Sequence, residues 1–193
     1  MPSETKIPPF TALLKLFFTG KPLVQHYRLN ISEKTFKEKL QNKITHEKHI
    51  APFSNNNKAF YGYIYEEYGR KFILQSIRTA DNKRILNHTI DIHVEIQPVD
   101  EKNIDLSLSF QPSKRLNLSR TIVTLTLVIM GAIGILQFLK NFNLKNILIL
   151  SASLIFFYLA FVLFMISGMQ KEIKSALAHL EIDSYGFIHY HSQ

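Results

Sequence analysis

Residues 121–139 (TIVTLTLVIMGAIGILQFL) and 147–169 (ILILSASLIFFYLAFVLFMISGM) contain no Asp, Glu, Lys, Arg or His. At the helical rise of about 1.5 Å per residue they reach about 28 and 34 Å, enough to cross a hydrocarbon core of about 30 Å. A short polar connection joins them, so the pair reads as a transmembrane helical hairpin. The mean hydropathy of +0.01 averages two unlike halves. Residues 1–120 hold 19 of the 23 Lys+Arg and 12 of the 15 Asp+Glu.

The flanks orient the hairpin. Lys114, Arg115 and Arg120 precede the first run, and Lys171 and Lys174 follow the second, whereas the connection carries only Lys140 and Lys145. Basic residues near span ends favour the cytoplasmic side. The expectation is a two-span protein of a cell inner membrane with both termini cytoplasmic. Uncharged interiors suit anchoring better than ion or proton passage. Gly131 and Gly134 lie one turn apart and are candidates for close helix packing, with Gly134 expected roughly level with Ala152. Such a seam closes the hairpin on itself or joins two copies. Phe156, Phe157, Phe161 and Phe164 spread around the second run and suit lipid or a partner subunit.

The segment before the hairpin is long enough for one small domain. Residues 23–30 alternate, with Leu23, Gln25, Tyr27 and Leu29 on one face of a strand. Ser32 then has the character of an N-cap, and Phe36, Leu40 and Ile44 recur every four residues. This predicts an amphipathic helix with Glu33 and Lys37 spaced for an ion pair. Residues 51–58, with Pro and three consecutive Asn, read as a loop. Strands follow over 60–65, 72–78, 90–97 and 104–110. The last two alternate cleanly: Ile90, Ile92, Val94 and Ile96 oppose Asp91, His93, Glu95 and Gln97. Strands joined by short polar turns pair antiparallel, with one apolar and one wet face. The Phe36/Leu40/Ile44 helix is the natural cover for the apolar face.

The expected fold is therefore an α+β soluble domain, an antiparallel meander plus one or two helices, followed by a two-helix transmembrane hairpin. Residues 1–118 form the domain, 119–169 the hairpin, and 170–193 a helix and tail. Residues 170–180 continue the second run as a helix with Ile173, Leu177 and Leu180 on one side, and 185–191 suit a strand added to a sheet edge. Residues 10–18 (FTALLKLFF) carry Phe10, Leu13, Leu14 and Phe17 on one side of a short helix. It lies either in the plane of the membrane interface or in the core of the domain.

A strand with Phe60, Gly62 and Ile64, a second strand opening at Phe72, two alternating strands and a hairpin resemble a group of uncharacterised small bacterial membrane proteins. The likeness spans roughly residues 59–169. The Pro and Gly expected near the 90–97 strand are replaced here by ordinary strand residues. The resemblance implies a bacterial inner-membrane setting and no particular activity.

Chemistry is sparse in this sequence. There is no cysteine, which excludes disulfides and thiolate-ligated clusters. No phosphate-loop, dinucleotide or nucleophile-elbow motif is present. His46 and His49, one turn apart, and His189 and His191, alternating on a tail, have no third ligand at metal spacing, so neither metal nor cofactor is expected. His93 shares its face with Asp91 and Glu95, an arrangement open to acid–base chemistry but ordinary for a wet sheet surface. The basic charge suits an anionic leaflet better than nucleic acid, since no nucleic-acid motif accompanies it. Lys114, Arg115, Arg120, Tyr61, Tyr63 and Tyr65 are the candidates for contact with lipid or partner. The expected function is a membrane-anchored, non-catalytic interaction or scaffold module, an accessory subunit with a protein partner or a second copy. A tethered domain that binds a lipid headgroup or small ligand, and an enzyme of unknown reaction, are the alternatives.

Overall fold

The computed structural model describes residues 7–45, 59–64, 70–80, 83–86, 89–141, 144–185 and 187–190, with side chains left aside at 63–64, 77–80, 83–86, 137–147 and 187–190. Its centre is the hairpin of β6 (Ile90–Pro98) and β7 (Ile104–Pro112), paired antiparallel from Ile90↔Pro112 to Pro98↔Ile104. The turn is held by Asp100, whose Oδ1 accepts from the amides of Lys102 and Asn103 at 2.8 Å. Alternation does what the sequence demands. Ile90, Ile92, Val94, Ile96, Ile104, Leu106, Leu108 and Phe110 are all buried, and their neighbours along each strand are not.

The sheet grows on both sides of this hairpin. Its order is β2-β3-β4-β6-β7-β1-β8, with β1 at Leu23–Leu29, β2 at Ile44–Thr45, β3 at Phe60–Ile64, β4 at Lys71–Ala80 and β8 at Phe187–Tyr190. The short β5 (Lys83–Leu86) pairs with the far half of β4. β2 runs parallel to β3, and every other pairing is antiparallel. The meander over β3, β4, β6 and β7 is as expected, and the C-terminal strand does add to an edge, beside β1. The two-residue β2 and four-residue β5 are additions.

Helices cover only the apolar face. α2 (Glu33–Lys43) begins at Ser32, whose Oγ accepts from the Thr35 amide at 3.3 Å, and buries Phe36 and Leu40. Glu33 meets Lys37 at 2.6 Å as the spacing predicted, and also Arg70 at 2.9 Å, which ties α2 to the start of β4. α1 (Phe10–Thr19) buries Leu13, Leu16 and Phe17. It ends at Gly20, whose φ of +68° is a left-handed cap that favours glycine. The predicted stripe is rotated: Phe10 is exposed, and Leu16 takes its place in the core.

The final helix continues past the second apolar run, as expected, and its last turns enter the domain core. α3 (Lys114–Asn141) and α4 (Leu144–Leu180) are single helices of 28 and 37 residues, about 42 and 55 Å long. α4 does not stop at the membrane run. Val162, Ile166, Met169, Ile173, Ala176, Leu177 and Leu180 are buried in the same core as the sheet. The expected unit 1–118 is thus incomplete, because α4 and β8 supply one wall and one edge of the domain. At its end α4 turns at Glu181 (φ 55°), where Lys43 Nζ donates to the His179 carbonyl at 2.7 Å and to Glu181 Oε1 at 2.6 Å.

Candidate interaction surfaces

Backbone register arranges the open face of the sheet in rows. The first row is Gln97, Asp105 and Arg28, the second Lys71, Glu95, Ser107 and His26, and the third Ile73, His93, Ser109 and Val24. Ser107 and Ser109 are the smallest members, so β7 becomes the floor of a valley between taller side chains on β6 and β1. A groove of about 420 Å³ results, with His26, Arg28, Glu95, Gln97, Asp105 and Ser107 along it. Arg28 grips Asp105 with two bonds, Nε–Oδ1 2.8 Å and Nη2–Oδ2 2.9 Å. This pairing holds the Asp105 carboxyl below its usual range.

His93, Asp91 and Glu95 sit on this face, but the carboxylates have other partners. Asp91 Oδ1 accepts from Gln75 Nε2 at 2.6 Å, and Glu95 is 3.7 Å from Lys71 and accepts from Gln97 at 3.4 Å. Burial lowers the pKa of His93, with Asp91 acting against the shift. The residues line a polar surface. No group of three or more His, Cys, Asp or Glu able to hold a metal occurs among the described residues.

Of the tyrosines, Tyr61 is half-buried on β3 opposite Gln75, and Tyr63 occupies the position opposite Ile73. Tyr65, His46, His49, His88 and His191 lie outside the described residues. His189 pairs with Tyr27 through the backbone. Tyr27 itself points into the core, where burial raises its phenol pKa and the hydroxyl donates to Gln25 Oε1 at 2.9 Å.

Glu172 is a residue that sequence reasoning passed over. It is 1 % exposed, on the part of α4 that packs under the sheet. Thr89 Oγ1 donates to its Oε2, whereas Oε1 makes no hydrogen bond of normal geometry among the described residues. Burial is the main cause that pushes its pKa up to about 7, and Thr89 acts against the shift. A signal was present: Glu172 adjoins Ile173 in a stripe that also takes Met169, Ala176 and Leu180 inward.

The remaining surface is apolar. Two helices are long and apolar enough to cross a membrane, and only 6 % and 11 % of the residues in their apolar stretches are buried. A core helix of a soluble protein would be mostly buried. Exposed apolar side chains run from Leu118 to Leu136 on α3 and from Leu148 to Phe164 on α4, with Phe156 and Phe164 both 76 % exposed. Gly134 is buried against Leu150, whose side chain occupies the space a Cβ would need; Ala152 is exposed and does not join this seam. Nothing lies within 4 Å of a Cβ at Gly131. At the domain end of the hairpin, Phe17 packs edge-on to Phe161 at 6.3 Å and its carbonyl accepts from Arg120. Lys114 and Arg115 are exposed in the first turn of α3. No protein family, curated protein or solved structure matches the chain. The fold and its exposed helices define the class: an α+β protein carrying two candidate membrane spans.

Proposed function

We propose that the chain is a membrane-anchored, non-catalytic interaction or scaffold module, an accessory subunit of a bacterial membrane complex. The observation that carries this reading is α4. One unbroken helix leaves the exposed apolar belt and becomes part of the domain core, so the open sheet face is held rigidly with respect to the hairpin. Supporting the membrane setting, Thr121, Thr124, Thr126 and Ser153 each donate to a carbonyl four residues back at 2.8–2.9 Å. Their polar groups are thus satisfied without water, as hydrocarbon requires. The bias of basic residues toward the domain side supports a two-span inner-membrane topology with both termini cytoplasmic. The partner, another protein or a second copy, docks on the face around Ser107 and Ser109.

A photo-crosslinking residue at Ser109 tests this in native membranes. A discrete adduct there, and none from Glu38 on α2, supports the reading. A species that stays monomeric at both positions, and on native electrophoresis in mild detergent, counts against it. The tethered lipid-headgroup reading draws support from exposed Lys114 and Arg115 beside the apolar belt. Residues 1–118 lack α4, which is part of the domain core, so the test uses the full protein. Competition between anionic and neutral lipids for the full protein is the appropriate assay.

A further inference from the structure

A crevice of about 360 Å³ opens on one side of the hairpin, between Arg120, Thr121, Thr124, Leu125 and Val128 of α3 and Tyr158 of α4. Its mouth and its depth differ in chemistry. Arg120 stands at the domain end, where one guanidinium nitrogen, Nη1, donates to the Phe17 carbonyl. Among the described residues this guanidinium makes no other hydrogen bond. From Arg120 to Val128 the helix rises about 12 Å, and along that length the crevice turns apolar. The hydroxyls of Thr121 and Thr124 are occupied by the carbonyls of Asn117 and Arg120, both at 2.9 Å, which leaves their methyl groups to the crevice.

The level of Arg120 is set independently. Phe17 touches both Arg120 and Phe161, and the last exposed large apolar side chain of α4 is Phe164. Ile166 and Met169 beyond it are buried in the domain. α1 lies at the same level and leaves Phe10 and Phe18 about half exposed. A cation at this boundary, above an apolar slot that runs toward the bilayer centre, is complementary to one kind of molecule: a phosphodiester with an acyl chain.

We infer that this crevice is a binding site for an anionic phospholipid of the leaflet on the domain side, with the phosphate at Arg120 and an acyl chain along Leu125, Val128 and Tyr158. The inference rests on the membrane reading above. It assigns the lipid a place between the helices, distinct from general attraction to the basic face.

The chain has no tryptophan, so single-tryptophan fluorescence reads one position at a time. Tyr158→Trp reports the crevice. Phe156→Trp, two residues earlier and so about 200° round the helix, reports bulk lipid. The full-length protein is placed in phosphatidylcholine vesicles in which a tenth of the lipid is dibrominated, as either phosphatidylglycerol or phosphatidylcholine. One well-placed basic side chain corresponds to about a fivefold preference for the anionic lipid. That preference is expected at Tyr158→Trp, with none at Phe156→Trp. Adding Arg120→Gln should abolish it, and Arg120→Lys should keep most of it. Leu125→Trp serves as reporter if Tyr158→Trp does not fold. Equal preference at the two positions, or an unchanged preference with Arg120→Gln, overturns the site. Competition by inorganic phosphate overturns the lipid assignment as well. Absence of quenching at Phe156→Trp by either brominated lipid removes the membrane reading itself, which separates the two failures.

Discussion

Replacing Glu172 with Gln should make the domain more stable at pH 8 and leave it nearly unchanged at pH 5. The folded carboxyl titrates at about 7, against a reference value of 4.5. The folded state therefore binds its proton more tightly than the unfolded chain. The associated stability is fully present below pH 4.5 and is lost as pH rises through 7. The difference of about 2.5 units corresponds to roughly 3 kcal/mol in all, of which about 2–3 kcal/mol falls between pH 5 and 8. For a chain of this size that is about 5–10 °C in Tm.

Other groups titrate with the opposite sign. Glu33, Asp105 and Glu181 have lowered pKa values, so their contribution is lost only as pH falls through a range below the usual carboxylate values. His93, also lowered, costs stability as pH falls below 6.5, within the same window. The informative quantity is therefore the difference between wild type and variant, in which these cancel. Circular dichroism of the sheet in mild detergent, melted from pH 5 to 8, should show a gap that opens with rising pH. A gap independent of pH, or a variant less stable at pH 8, would refute the account of Glu172 as a buried acid held near its titration point.

Gly134 and Gly131 should respond oppositely to added bulk. Gly134→Leu meets Leu150 and should cost about 1–3 kcal/mol in hairpin stability. Gly131→Ala has open space and should be neutral or gain up to about 1 kcal/mol from helix propensity; chemical unfolding in micelles measures both. Ser32→Ala removes the α2 cap and should lower domain stability by about 1 kcal/mol in denaturant titration. Ending the chain after Tyr185 removes β8 and leaves β1 as a bare edge. Amide exchange across residues 26–29 should then rise about tenfold or more, together with a greater tendency to aggregate.

Local patterning carried most of the fold into the sequence. Period-two alternation over 90–97 and 104–110 marks the central hairpin because each strand faces core on one side and water on the other. Ser32 and the four-residue recurrence of Phe36 and Leu40 mark α2 for the same kind of reason. What local pattern does not encode is where an apolar residue finds its partner. Ile166 and Met169 read as membrane residues because hydrocarbon and protein core select the same side chains, yet both are buried in the domain core. Gly134 packs on Leu150 and leaves Ala152 exposed, a helix rotation that spacing alone does not specify. β2 and β5 are too short to show a period. The groove along Ser107 depends on three strands brought side by side, and only the pairing of β1 with β7 puts His26 and Arg28 beside it.

The central claim is that α3 and α4 cross a bilayer whose domain-side boundary meets α4 between Phe164 and Ser167. The chain lacks cysteine, so spin labels at Phe157→Cys, Ser167→Cys and Lys102→Cys can be read singly in reconstituted membranes. Collision with oxygen should dominate at 157, and collision with a water-soluble nickel chelate should dominate at 167 and 102. Equal nickel accessibility at 157 and 102 would contradict the account.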